Sequence, residues 1–285
     1  MSLLREQVDE LRRAELSLGQ HATAGVHDVR VATRRLRSLV QQARPWAGDR
    51  STDAVRADLR WLAAALSQVR DAEVVEARIR THLWSIADPV VPPDEVAEIE
   101  QALSGAHRTA YDAALQALST QRFPQLLEGL DALADAEPTR QVDRVADLEA
   151  QTRLIRRHWR RLEQLAGETA PTEVEHLHDV RKLTKRLRYA SEPLVPAVGK
   201  DAQRFTEALK SVQALLGDHH DTVISRQRLD VLESQLGLAV TVHRVRALEE
   251  QSAAALEAEF AHTWPLVVRR VAHSWPLDDT ADVYR

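Results

Sequence analysis

The strongest constraint on this chain is a stretch of eleven residues that it contains twice. His27-Asp28-Val29-Arg30-Val31-Ala32-Thr33-Arg34-Arg35-Leu36-Arg37 returns about 150 residues later as His178-Asp179-Val180-Arg181-Lys182-Leu183-Thr184-Lys185-Arg186-Leu187-Arg188. Eight of the eleven positions are identical, and Arg34 against Lys185 keeps its charge. A repeat this long divides the chain into two similar halves and does not describe a short-period solenoid.

Wound as a helix, the first copy places His27, Arg30, Arg34 and Arg37 within an arc of about 80°. His178, Arg181, Lys185 and Arg188 fall the same way in the second. Val29, Ala32, Leu36 and Leu39 occupy the opposite face of the first copy, and Val180, Leu183, Leu187 and Ala190 that of the second. Each copy is therefore an amphipathic helix with a core face and a cationic face. Surface helices ordinarily interleave acid and base, because like charges at i,i+4 repel. Here no acid enters the cationic arc until Glu192. Repulsion arranged twice points to an anionic partner that relieves it.

The remaining sequence is that of an all-α protein. Gly is scarce, Ala, Leu, Glu, Gln and Arg dominate, and no stretch alternates with the period of a strand. The first half reads as helices over 3–18, 25–43 (stopped by Pro45), 53–69, 72–86, 94–118 and 124–134, with a proline-rich break at 88–93. The second half repeats the order over 147–165, 176–194, 201–215, 222–236 and 239–261, with Gly237 in place of the proline-rich break and Trp264-Pro265 opening a last helix. The halves are expected at 1–136 and 140–276, each a four-helix-bundle-like unit, followed by a frayed tail over 277–285 that begins near Pro276. Leu66-Ser67-Gln68-Val69-Arg70-Asp71-Ala72-Glu73-Val74 aligns with Leu216-Gly217-Asp218-His219-His220-Asp221-Thr222-Val223-Ile224 as a second repeated element.

Composition narrows the function. The formal net charge is −5, which opposes a protein that coats nucleic acid with its whole surface and makes the two stripes local exceptions. Without Cys there is neither a disulfide framework nor a thiolate metal site, in keeping with a reducing cytoplasm. The charged start lacks the apolar run of a secretory signal, and no stretch approaches 18 apolar residues. A cytoplasmic protein is expected, with no membrane partner.

Ten residues of helix span about 15 Å, so each stripe is a ladder of donors suited to a linear polyanion. A groove between the halves would let the two ladders face each other. Arg5, Arg12, Arg35, Arg153, Arg156, Arg160, Lys182 and Arg186 form a secondary basic set that either flanks the ligand or is solvated surface. His219-His220-Asp221 carries metal-ligand chemistry. However, adjacent helical residues diverge, and Asp71 and Asp221 read more simply as N-caps of the following helices. His-Asp pairs at His27, His178 and His220 leave a metal-dependent phosphohydrolase or metal-chelating protein as the alternative. No phosphate-cradling glycine loop, serine elbow or Cys nucleophile is present, so no catalytic residue, metal or cofactor is assigned. The six tryptophans are assigned to packing.

The pattern His-x-x-Arg-x-x-x-Arg/Lys-Arg-x-Arg at 27–37 and 178–188, with Tyr189, Glu192 and the Leu216, Gly217, Asp221 element, resembles the CHAD domain, the conserved histidine α-helical domain. The resemblance covers about residues 3–275. It implies two helical bundles related by a pseudo-two-fold axis around a basic cavity, binding of inorganic polyphosphate, and localisation of some members to polyphosphate granules. By position it assigns polyphosphate binding to His27, Arg30, Arg34, Arg37, His178, Arg181, Lys185 and Arg188. Gln41 and Ser67 stand where the second half has Glu192 and Gly217. Many members carry an attached triphosphate tunnel β-barrel, for which this chain has no strand pattern. Catalytic or granule partners are then separate proteins, and a granule-associated adaptor is a further alternative.

Overall fold

The structure, a computed structural model, describes residues 3–18, 22–86, 91–136, 144–168, 174–272 and 274–277. Every regular element among them is helical: α1 (Leu3–Ser17), α2 (Ala22–Ala47), α3 (Asp49–Ser85), α4 (Pro93–Ser119), α5 (Arg122–Asp135), α6 (Arg144–Gly167), α7 (Val174–Ser191), α8 (Val195–Val198), α9 (Lys200–Leu236) and α10 (Ala239–Val271). A single 3₁₀ turn at Glu192–Leu194 joins α7 to α8.

The chain divides into two compact units. One comprises residues 1–81 and 92–140, the other 82–91 and 141–285. The expected boundary at 136–139, the break at 88–93 and the tail beyond 277 lie wholly or partly outside the described residues.

Each unit has its own apolar core. In unit 1, Leu11 of α1, Val29 and Leu36 of α2, Leu59, Leu62 and Leu66 of α3, and Leu126 and Leu130 of α5 are fully buried in one cluster. In unit 2, Leu162 of α6, Val180 and Leu187 of α7, Phe205, Leu209 and Val212 of α9, and Val271 of α10 do the same. Here the cluster is aromatic. The Trp159 ring lies 5.3 Å from Phe205 and 5.7 Å from Trp264, and Phe205 lies 6.2 Å from Trp275. The packing role expected of the tryptophans holds for Trp159, Trp264 and Trp275, whereas Trp84 is 72% exposed. Burying a side chain such as Leu36 or Leu187 stabilises the fold by roughly 1.5–3 kcal/mol, which fixes the rotation of α2 and α7 and turns their cationic faces outward.

Four sequence expectations are corrected. Helix α2 does not stop at Pro45 but runs to Ala47, ending before Gly48 at φ 80°, a left-handed conformation that glycine adopts without strain. The pairs of helices expected at 53–69 and 72–86, and at 201–215 and 222–236, are single helices of 37 residues, α3 and α9. The polar segments around Arg70-Asp71 and His219-His220-Asp221 contain no proline, and a lone helical glycine at 217 costs only about 1 kcal/mol. Asp71 and Asp221 therefore sit inside helices and cap nothing. Pro265 lies within α10, which continues to Val271. The start of the tail is not frayed. Pro276 is buried and its carbonyl accepts a 2.7 Å hydrogen bond from Arg156 Nε, while Trp275 Nε1 donates to Thr152 Oγ1 at 3.2 Å. Gly237, at φ 68°, closes α9 with its N–H on the Glu233 carbonyl at 3.0 Å, as its place in the sequence suggests.

Candidate functional site: two cationic helix faces

The repeated stretch lies on α2 in unit 1 and α7 in unit 2, and the predicted core faces are buried in both except for Leu39 and Ala190, which are half-buried. Val29, Ala32 and Leu36 are fully buried in α2, as are Val180 and Leu187 in α7. Thr33 and Thr184 complete the match. Each is buried and donates its hydroxyl one turn back, to Val29 O at 2.7 Å and to Val180 O at 2.8 Å. These inward hydroxyls are satisfied within the helix and leave the opposite face to the cations.

In unit 1, His27, Arg34 and Arg37 are exposed and Arg30 is half-buried. One terminal nitrogen of Arg30, Nη1, is buried without a hydrogen-bond acceptor. Burial, followed by the neighbouring Arg70 of α3, weakens the charged form of Arg30, while Asp71 and Glu73 favour it. Arg70 itself pairs with Glu73 at 3.4 Å. The stripe on α2 is thus extended by one residue of α3.

Unit 2 repeats the arrangement with different chemistry. Arg181, like Arg30, is half-buried, and its Nε is buried without an acceptor. An unmet guanidinium donor normally costs stability, and the unmet nitrogens here are themselves buried, Nη1 in Arg30 and Nε in Arg181. At one end of the stripe Arg188 donates from Nε to Gln213 of α9 at 2.7 Å, pairs with Glu192 at 3.2 Å, and lies 4.3 Å over the Tyr189 ring. At the other end the His178 and His220 rings meet at a tilt, with centroids 5.1 Å apart. Helices α7 and α9 therefore run antiparallel along the stripe. Gln213, Gly217 and His220 fall within an arc of about 60° on α9. A Cβ built at Gly217 meets nothing within 4 Å, so the strip between the Gln213 and His220 contacts is open.

Burial first, and then Arg181, His178, His219 and Lys185, push His220 down from 6.5 to about 4. His178 is lowered too, by burial and then by Lys182 and Arg181. Both shifts disfavour the imidazolium form, that of His220 most strongly.

His219 turns the other way. It is buried and its Nε2 meets Glu257 of α10 at 3.0 Å. His219 and His220 thus serve different helices, and among the described residues no three His, Cys, Asp or Glu side chains are grouped to hold a metal ion.

The secondary basic set separates into several roles. Arg5 and Arg12 do not extend a stripe: they bond to Asp135 and Asp131, respectively, and tie α1 to α5. Arg153 pairs with Glu149 at 3.5 Å and Lys182 with Asp179 at 3.1 Å. Arg156 holds the Pro276 carbonyl. Arg35, Arg160 and Arg186 are exposed, and Arg186, Arg157 and Arg161 together add to burial in lowering His158.

Arg70 is a site residue that motif reading left out, and His220 is one that it read only as a metal ligand or His-Asp pair. Their signal was their shared position in the second repeated element, where both halves place a nitrogen base before an Asp.

Comparison with known proteins fits this geometry. The CHAD domain family matches residues 2–230. Two uncharacterized proteins of Mycobacterium tuberculosis are 31% identical over 229 residues, covering 79% of this chain and 43% of each relative. The chain thus spans less than half the length of those relatives. Among solved structures, the CHAD domain from the plant Ricinus communis superposes with a TM-score of 0.73 at 22% identity, covering 93% of this chain and 89% of that one. PptA from Streptomyces chartreusis gives 0.70 at 19% identity, covering 92% and 96%. At these identities the two structures establish the all-helical fold. Among the described residues, no helix is long and apolar enough to cross a membrane.

Proposed function

The chain belongs to the CHAD domain family, and on that premise we propose that its two cationic helix faces bind inorganic polyphosphate without cleaving it. The observation that carries the reading is the pair Arg30 and Arg181. They occupy one position of the repeat, each half-buried and each with a guanidinium nitrogen that no protein acceptor meets. Phosphate oxygens suit such donors because guanidinium forks pair with them bidentately. Arg34 and Arg37 on α2, and Lys185 and Arg188 on α7, continue the contact along about 15 Å of helix, several phosphates of a linear polymer. Arg35, Lys182 and Arg186 would add charge at the rim. Binding of this kind would anchor the protein to polyphosphate granules in the cytoplasm, where separate proteins handle synthesis and degradation.

Replacing Arg30, Arg34, Arg181 and Lys185 together with Glu tests the reading. Helicity by circular dichroism should persist, because all four side chains lie off the buried faces, while binding of long-chain polyphosphate should be lost. Unchanged affinity in a helical variant refutes it.

A further inference from the structure

The stripe on α7 differs from that on α2 in one respect that concerns protons. Aligning the second repeated element places Arg70 in unit 1 where unit 2 has His220. Arg70 is permanently charged and has Glu73 as its companion at 3.4 Å. The position equivalent to Glu73 is Val223, so His220 has no such carboxylate beside it. Instead it lies against His178 at a tilt, 5.1 Å between centroids and 34° between planes.

Resting on the polyphosphate reading above, we propose that the unit 2 site is proton-coupled. A polyanion that docks on Arg181 and Lys185 draws protons onto the adjoining His178–His220 pair, whereas the unit 1 site, with Arg70 in place of His220, has no such imidazole pair.

The surroundings of the pair account for this. On α7 it is faced by Arg181, Lys182 and Lys185, with Asp179 held by Lys182 at 3.1 Å. On α9 the neighbours are His219, fixed by Glu257 of α10, and Asp221, which is itself engaged. Asp179 favours the charged form of His178, but the charges that act on His220 are those of Arg181, His178, His219 and Lys185, all of which oppose its protonation. In that field neither ring accepts a proton easily, and two adjacent charged rings would also repel. A row of phosphates reverses the sign of the field and removes the obstacle for both. His176 adds a further imidazole on α7, with its Nε2 buried and without an acceptor.

The size of the effect follows from His220. Its pKa is about 4 in the free protein against an ordinary 6.5. If a bound polyanion restores only the ordinary value, affinity rises about tenfold between pH 8 and pH 5.5, through this one group. The sign is fixed by linkage: the bound state holds more protons, so binding tightens as pH falls.

The test is calorimetric titration of the full chain with sodium polyphosphate of long chain length, whose internal phosphates do not titrate in this range. Runs at pH 6 in two buffers of different ionisation heat give the protons taken up. Parallel NMR follows the His220 ring with and without the polymer, in the unmodified protein. The expected result is net proton uptake, an upward move of the His220 titration, reduced uptake in His220→Gln, and a flatter pH profile in His220→Arg. Binding without proton uptake, or uptake unchanged in both His220→Gln and His178→Gln, overturns the coupling and leaves polyphosphate binding intact. An absence of binding overturns both. Should the variants fail to fold, the NMR titration of the unmodified chain decides alone.

Discussion

Gly217 offers a perturbation whose effects on stability and on binding run in opposite directions. It lies inside α9, between Gln213, which accepts from Arg188, and His220, whose ring adjoins His178. An added Cβ meets no atom within 4 Å. A side chain there meets no steric obstacle, and replacing a helical glycine stabilises by roughly 0.5–1 kcal/mol. The substitution Gly217→Glu should therefore raise the melting temperature by a few degrees. The same change places a carboxylate opposite the middle of the cationic stripe. Helical neighbours three and four residues apart have Cβ atoms about 5–6 Å from one another, so a phosphate held beside His220 would lie at a comparable distance. Repulsion between unit charges at 6 Å is about 0.7 kcal/mol in bulk water and about 2.8 kcal/mol at an effective dielectric of 20. This corresponds to a loss of about threefold to a hundredfold in affinity per close phosphate. Thermal melting and polyphosphate titration, on one preparation, read both effects. A variant that is more stable and binds as tightly as the parent refutes the placement of the ligand on this face.

The two half-buried arginines give a complementary expectation. Arg30→Met or Arg181→Met should each weaken polyphosphate binding by about 1–3 kcal/mol and lower the slope of log affinity against log salt by about 0.7, as loss of one phosphate contact does on a single strand. A slope unchanged in both would remove these residues from the interface. Gly25 marks the opposite packing case to Gly217: a Cβ there would come within 2.7 Å of Leu18 Cα and 2.9 Å of its N, both backbone atoms. Gly25→Ala should cost about 1–3 kcal/mol and lower the first transition on heating, and a neutral result would contradict the close approach of the start of α2 to Leu18. Acid should destabilise the free protein between pH 6.5 and about 4, because His220 stays neutral when folded and protonates when unfolded. The expected signature is a melting temperature that falls by a few degrees over that range and falls less with polyphosphate present. A flat profile argues against a depressed His220.

Much of the architecture was legible because it rests on periodicity. Val29, Leu36, Val180 and Leu187 are apolar at helical spacing and are buried, so the outward direction of the stripes followed from sequence. What periodicity could not supply was the continuity of α3 and α9. A polar segment such as Asp218-His219-His220-Asp221 looks like a connection when read locally, yet a helix tolerates polar residues wherever one face remains packed, as Leu215, Leu216 and Leu229 are here. Reading a break there made caps of Asp71 and Asp221, hid Arg70 from view and detached His220 from the stripe on α7. The secondary basic residues illustrate a second limit. Arg12 and Arg153 look alike in sequence, but Arg153 meets Glu149 one helical turn away, which spacing alone shows, whereas Arg12 meets Asp131 of α5. Long-range partners of this kind leave no periodic trace.

The central proposal is that each of the two stripes binds polyphosphate and leaves it intact. Its most direct test is calorimetric titration of the protein with long-chain polyphosphate at two salt concentrations, followed by assay of the same samples for released orthophosphate with Mg²⁺ or Mn²⁺. The account predicts saturable binding that weakens as salt rises, with no orthophosphate released. Absence of binding, binding insensitive to salt, or release that depends on the metal would contradict it.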